Sequence, residues 1–481
     1  VRRALRGETL VPVAERLEVL GSRAHGHVQA VRRAMQRLGI ESLISSRPSP
    51  ERDRVCALIA ARVLAPHTKL ATTRWWHTST LAEEFGVSAA DADDLYAAMD
   101  WLLERQPVIE RKLASRHLGE GSLALYDLSS SYFEGTHCPL GKIGYSRDGK
   151  KHKLQVNYGL MTTRQGCPIS VSVYAGNTAD TKTLMPQVAK LKESFGVERV
   201  VLVGDRGMIS HKAIGELKDI DGMAWITALK STQIRGLVEA GALQLGLFDE
   251  RNLFEFSDPA YPGERLIACR NPELAKLRAH KRQALLAATT LELEQIRERV
   301  ARGALQGAAA IGVKLGRVLD KYKVGKHFEL IITDTAVNYQ VLEPQVAAEA
   351  ALDGIYVIRT GVPKKQMSAP EAVRSYKALA QVERAFRSLK TVDLKIRPIH
   401  HRLESRVRAH IFLCMLAYYV EWHLLEAWRT LLFADEDQAA KATRDPVAPA
   451  KRSAAALEKS HTHSTADGAP AHSLRTLIAE L

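Results

Sequence analysis

The chain has 481 residues, 46% hydrophobic and 25% charged, with 68 Lys+Arg against 54 Asp+Glu and a formal charge of +14. That is folded-protein composition and length enough for roughly 2–4 domains, and the positive balance tilts the partner toward an acidic polymer such as nucleic acid. The longest apolar run, Ile411–Val420, stops at Glu421, far short of the ~20 residues a membrane span needs, so no membrane partner is expected.

Residues 1–120 read as helices of a DNA-binding or supporting domain. Leu20–Leu38 is rich in Arg and His with spaced apolar residues, Ser49–Val63 carries Pro50 near its start and a Val55, Leu58, Ile59, Val63 stripe, and Ala89–Leu113 repeats the pattern. At Ser122 the period changes. Leu123-Ala-Leu-Tyr-Asp-Leu128 predicts a strand, Leu154–Met161 and Pro168–Tyr174 predict a hairpin around Thr162-Thr-Arg-Gln-Gly166, and Asp180–Phe195 predicts a helix capped by Asp180. A strand at Val200–Val203, a helix at Ser210–Leu217 and a strand at Met223–Leu229 complete residues 121–230. The order implies an antiparallel meander that crosses over by helices to parallel strands, a mixed α/β sheet.

Residues 231–346 interrupt this pattern. Strand-like Asn252–Phe256 and His327–Thr333 surround a charged helix over Pro272–Arg302, which predicts an inserted subdomain. Residues 347–432 resume with a strand at Tyr356–Arg359, one helix over Ser368–Lys390 and a long apolar helix over Ser405–Leu432 packed beneath the sheet. Residues 433–481, rich in Ala, Pro, Lys, Asp and His, are expected as a flexible tail, with Leu474–Leu481 beginning a further helix. The five cysteines (Cys56, Cys138, Cys167, Cys269, Cys414) have no C-x-x-C spacing, so they read as reduced packing residues of a cytoplasmic protein, not a disulfide framework or zinc knuckle. Val1-Arg-Arg-Ala-Leu lacks an apolar leader, so no signal peptide is expected and the Met-less start reads as clipped.

Three acids stand out. Asp127 interrupts an apolar strand, where a carboxylate is costly to bury without compensation, and Asp205 ends Val200-Val-Leu-Val-Gly-Asp205 at the strand edge where α/β sheets place ligands. Taken alone, each reads equally well as a strand-end cap. Glu383 lies in the predicted Tyr376–Lys390 helix, where Tyr376 and Lys390, each seven residues away, fall within about 20° of it on the helical wheel. Leu379, Val382, Phe386 and Leu389 fall to one side of it, Arg384 and Arg387 to the other. Three carboxylates make an all-oxygen site suited to Mg²⁺ or Mn²⁺, and two such ions about 4 Å apart serve phosphodiester displacement. Between Glu371 and His410, ten Lys/Arg stand against four acids, and Lys142, Arg147, Lys150, Lys151 and Lys153 add a cationic loop, a one-sided count that favours phosphate contacts.

These residues resemble the DDE-type transposases of bacterial insertion sequences, in the IS-four-like group that carries a Y-x2-R-x3-E-x6-K signature. The matching pieces are Leu125-Tyr-Asp127-Leu-Ser-Ser-Ser-Tyr-Phe-Glu, Gly176-Asn-Thr-Ala-Asp-Thr-Lys-Thr-Leu184, Val203-Gly-Asp205-Arg-Gly-Met and Tyr376 to Lys390, with Leu379 where the signature has Arg. The resemblance implies an RNase H-like core with an insertion between the second Asp and the Glu. It implies catalytic, metal-binding Asp127, Asp205 and Glu383, about two Mg²⁺ or Mn²⁺ ions, and DNA contacts from Tyr376 and Lys390, to which the basic count adds Arg384, Arg387 and Lys151. The expected activity is metal-dependent cleavage at element ends and strand transfer by a homodimer on double-stranded DNA, in the cytoplasm at the nucleoid. Two alternatives stay open: a non-catalytic transposase-derived DNA-binding protein or inactive copy, and a metal-dependent nuclease without strand transfer. A nucleotide cofactor is not expected, because Gly135-Thr-His-Cys-Pro-Leu-Gly141-Lys-Ile has the wrong spacing for a P-loop.

Overall fold

The computed structural model describes residues 4–7 and 21–481; the expected helix start at Leu20 and most of the stretch before it lie outside the described residues. Helices come first: α1 (Gly26–Leu38), α2 (Ile40–Ile44), α3 (Pro50–Leu64), α4 (Lys69–Trp75), α5 (Leu81–Glu84), α6 (Ala92–Glu104) and α7 (Gln106–His117). Local chemistry sets their ends. Gly39 takes the left-handed conformation (φ 63°) that stops α1, and the Ser49 hydroxyl caps α3 by accepting from Arg52 N–H with Pro50 at the first helical position. Asp91 and Asp94 form a capping box on α6. The stripe Val55, Leu58, Ile59 and Val63 is buried, in one continuous apolar core with residues of the sheet such as Leu202 and Ile226.

The sheet begins with β1 (Ser122–Tyr132), β2 (Gln155–Thr163) and β3 (Pro168–Ala175). Next come α8 (Leu184–Ala189), β4 (Val200–Val203), α9 (His211–Lys218) and β5 (Met223–Ala228). β1, β2 and β3 pair antiparallel, and β4 and β5 continue parallel to β1. The meander followed by parallel crossovers is therefore present as the hydrophobic periods implied.

The interrupting segment differs from the expectation of a separate insert. It contains α10 (Ser231–Glu239), β6 (Leu253–Phe256), β7 (Arg265–Arg270), α11 (Pro272–Ala301), α12 (Ala308–Tyr322), β8 (Phe328–Ile332), β9 (Val337–Val341) and α13 (Glu343–Ala350), before β10 (Ile355–Thr360). β6 and β7 join the main sheet through β10, giving the order β3-β2-β1-β4-β5-β10-β7-β6. α10 packs on these strands through Ile234 and Leu237, while α11, α12 and the β8–β9 ribbon close their own core around Leu293, Ile311, Leu315 and Phe328.

The chain ends with α14 (Ala369–Lys377), α15 (Leu379–Arg387), α16 (Glu404–Ala427), α17 (Gln438–Thr443), α18 (Ala454–Thr462) and α19 (Leu474–Glu480). Residues 433–481 are not the expected solvated tail. Leu474 and Ile478 enter the main core, and the Arg475 guanidinium donates to the Val63 and Leu64 carbonyls (both 3.0 Å), satisfying acceptors that the end of α3 leaves unpaired. Among the described residues no helix is long and apolar enough to cross a membrane; the apolar α16 packs against α3, α6 and β3.

Candidate active site

β1 and β4 run parallel with Leu125 opposite Val203, the last residue of β4. Asp127 and Asp205 each stand two residues further on, so the register carries both carboxylates to one edge of the sheet. β4 stops there because Asp205 folds a turn over itself: its Oδ1 accepts from Gly207 N–H (3.0 Å) and Met208 N–H (2.8 Å). Asp127 Oδ1 accepts from the Leu128 N–H at 2.8 Å. Each aspartate thereby keeps its other oxygen for a ligand.

Glu383 arrives on α15, which packs over β1 and β2. Val382, Ala385 and Phe386 form its buried face, with the Phe386 ring edge-on to Tyr158 at 5.8 Å, and Glu383 points to the exposed side. Electrostatics ties the three acids together. Burial first, and the nearby charges of Asp205 and Glu383 after it, bring the Asp127 carboxyl up to about 7 against the opposing Leu128 N–H and Arg147. Tyr376 belongs to the same cluster: burial lifts its phenol to about 12, with Asp205, Glu383 and Asp127 adding to the rise against Arg206. Two part-buried aspartates and an exposed glutamate at one sheet edge are a donor set of oxygen alone, which suits a divalent cation.

The basic residues divide. Arg147 grips both oxygens of Asp180 (2.8 and 2.7 Å) while its charge reaches Asp127, and its loop is laid along β1 by the bond from Arg147 N–H to Ser130 Oγ (3.0 Å). Lys390 is nearly buried and donates to Asp148 Oδ1 at 3.0 Å; Arg397 pairs with the same oxygen, and Asp148 Oδ2 accepts from Tyr132 N–H at 3.2 Å. Lys150, Lys390, Lys395 and Arg397 line a cleft of about 280 Å³ around that carboxylate. Arg384 and Arg387 are exposed on α15 and Lys151 is exposed on the loop, while the charge of Arg384 reaches Tyr418 and Lys441.

The single helix expected over 368–390 is broken twice. At Ala378 the N–H is shared between Arg374 and Ser375 carbonyls, and Gln381 N–H bonds back to Ala378, a tight turn between α14 and α15. Ser388–Val392 then widens into a π turn. Lys390 lies within that turn and donates to Asp148. Leu379, where the signature has Arg, is half-buried against the main core. Sequence reasoning missed Asp148 and Arg206: Asp148 sits in a turn-rich stretch with its cationic partner 242 residues away, while Arg206 lies within a quoted motif and was open to notice.

The sequence matches the family described as "Transposase DDE domain" over residues 133–420, more than half of the chain. That span holds Asp205, Tyr376, Glu383 and Lys390 and begins shortly after Asp127. No curated protein matches the chain. Among solved structures it is similar to one titled "Cryo-EM structure of piggyBac transposase synaptic complex with hairpin DNA (SNHP)", at 10% identity and a TM-score of 0.38, covering 87% of this chain and 75% of that one.

Proposed function

The chain belongs to the transposase DDE domain family, and on that premise we propose that it is a metal-dependent transposase of the IS-four-like group, cutting insertion-sequence ends and joining them to target DNA. One observation carries the catalytic reading: acids from β1, the turn after β4 and α15 meet closely enough that Asp205 and Glu383 raise Asp127. The order β3-β2-β1-β4-β5, with one acid inside β1, one just past β4 and one on the helix across them, supports an RNase H-like core.

Asp127, Asp205 and Glu383 would hold the metal, Mg²⁺ or Mn²⁺. Held there, divalent metal would supply activation of an attacking oxygen and stabilisation of a leaving one in phosphodiester displacement. Tyr376, set beside the three acids, donates a hydrogen bond from its hydroxyl to a phosphate oxygen next to the cut. Lys150, Lys390, Lys395 and Arg397 carry more positive charge than Asp148 neutralises, which suits their cleft to the DNA backbone, and Arg384, Arg387 and Lys151 add exposed contacts. Joining requires two ends held together, which a homodimer on double-stranded DNA provides, acting at the nucleoid.

The test is Asp127→Ala assayed on duplexes carrying the ends of the encoding element. Cleavage should vanish while end binding stays within about twofold, since the acid touches metal and not base edges. A folded variant that still cuts would contradict the assignment.

A further inference from the structure

A second group of ligand atoms lies outside the acid trio. His117 at the end of α7, Cys167 between β2 and β3, and His423 on α16 each bring one ligand atom to within 4.8 Å of the others. His117 Nε2 lies 4.0 Å from Cys167 Sγ and 2.9 Å from the Tyr419 hydroxyl. His423 Nε2 is buried without a hydrogen-bond partner, and Cys167 is almost fully buried.

Read as plain packing, this cluster leaves an imidazole nitrogen unpaired inside the protein, a costly arrangement. A metal ion would resolve it. Two imidazoles and a thiolate are the borderline-soft set that selects zinc over magnesium, with Zn–N near 2.0–2.1 Å and Zn–S about 2.3 Å. Closing from the present spacing takes side-chain movements of about an ångström. We propose that His117, Cys167 and His423 form a zinc site that ties the β2–β3 hairpin to α7 and α16, with water in the fourth position. Binding exchanges the S–H bond of Cys167 for a metal–thiolate bond and releases the proton to solvent.

The place of this clamp gives it a consequence. Gly166, beside Cys167 and at φ +90°, sits so close to α15 that a Cβ there would lie 2.9 Å from Gln381 Cβ, and Gln381 is two residues before Glu383. Trp422, next to His423, donates to the Gln165 carbonyl at 3.3 Å. The zinc site thus braces the hairpin on which the helix of Glu383 rests. The site stands on its own ligands; only its positioning of Glu383 rests on the proposed function.

The experiment uses tag-free full-length protein exposed to Zn²⁺ and desalted, with metal content read by mass spectrometry. About one zinc equivalent per chain should remain in the wild type and in Asp205→Asn, and be lost in Cys167→Ser and His423→Gln. Loading with Co²⁺ should give a near-ultraviolet thiolate-to-cobalt band that the carboxylate trio cannot produce. Wild-type protein that retains no zinc and shows no such band overturns the proposal, even where the variants fail to fold, as does zinc retained unchanged by folded Cys167→Ser.

Discussion

Replacing Asp148 by Ala removes an acid that Lys390 and Arg397 share. Its side chain is 1% exposed, against 11% for Lys390 and 21% for Arg397. Breaking a buried ion pair by removing one partner costs ~3–5 kcal/mol, and the partial exposure of the two cations places this case near the lower end, about 3 kcal/mol. Losing the acceptor for the Tyr132 N–H adds about 1 kcal/mol, which Asp148→Asn should spare. Burial already pulls the Lys390 ammonium below its usual range, with Asp148 opposing the fall, so without Asp148 the lysine loses what keeps it charged. Urea unfolding followed by tryptophan fluorescence measures the loss. A cycle with Lys390→Met isolates the pair: the double variant should be less destabilised than the sum of the singles by about 2 kcal/mol. An Asp148→Ala protein within about 0.5 kcal/mol of wild type, the usual range for a surface change, would refute the reasoning.

Glu264 and Arg359 form a two-bond pair of 2.7 and 2.6 Å, with both side chains nearly buried and the guanidinium over the Tyr261 ring. Glu264→Ala should therefore cost about 3–5 kcal/mol in the same assay, and a loss under about 1 kcal/mol would contradict the pairing. Lys69 on α4 is buried near Arg62 of α3, with His401 and with His410 and Cys414 of α16 close by; burial first, then Arg62, brings its pKa down to about 7. Between that value and the 10.5 of the free side chain the unfolded chain binds the extra proton, so stability present above pH 10.5 is lost as pH falls toward 7. The slope reaches at most about 1.4 kcal/mol per pH unit. Lys69→Met should flatten it and exceed wild type in stability at pH 7; equal slopes would count against a buried, titrating lysine.

The sequence carried the meander, the crossovers and the acids because each leaves a local trace: alternation, a helical period, or a carboxylate where an apolar residue belongs. The breaks at Ala378 and Ser388 leave none, since Leu, Ala, Gln, Glu and Arg favour an unbroken helix throughout. Lys390 therefore read as a neighbour of Glu383, and its partner Asp148 was hidden by distance along the chain. Strand composition marked residues 252–256 as a strand and said nothing of its sheet, because pairing with β7, and through it with β10, is a long-range choice. The docking of 433–481 turns on a few side chains, chiefly Leu474, Arg475 and Ile478, within a polar background. Cys167 read as packing because His117 and His423 become its neighbours only in the fold.

The most direct test of the central claim is Mg²⁺-dependent cleavage and joining of a labelled element-end duplex, run with wild type and Glu383→Gln side by side. Three acids sharing metal predict joined products that require the divalent ion and fall by at least about a hundredfold in Glu383→Gln, while both proteins bind the duplex alike. Products that form without divalent metal, or equally well in a folded Glu383→Gln protein, would contradict it.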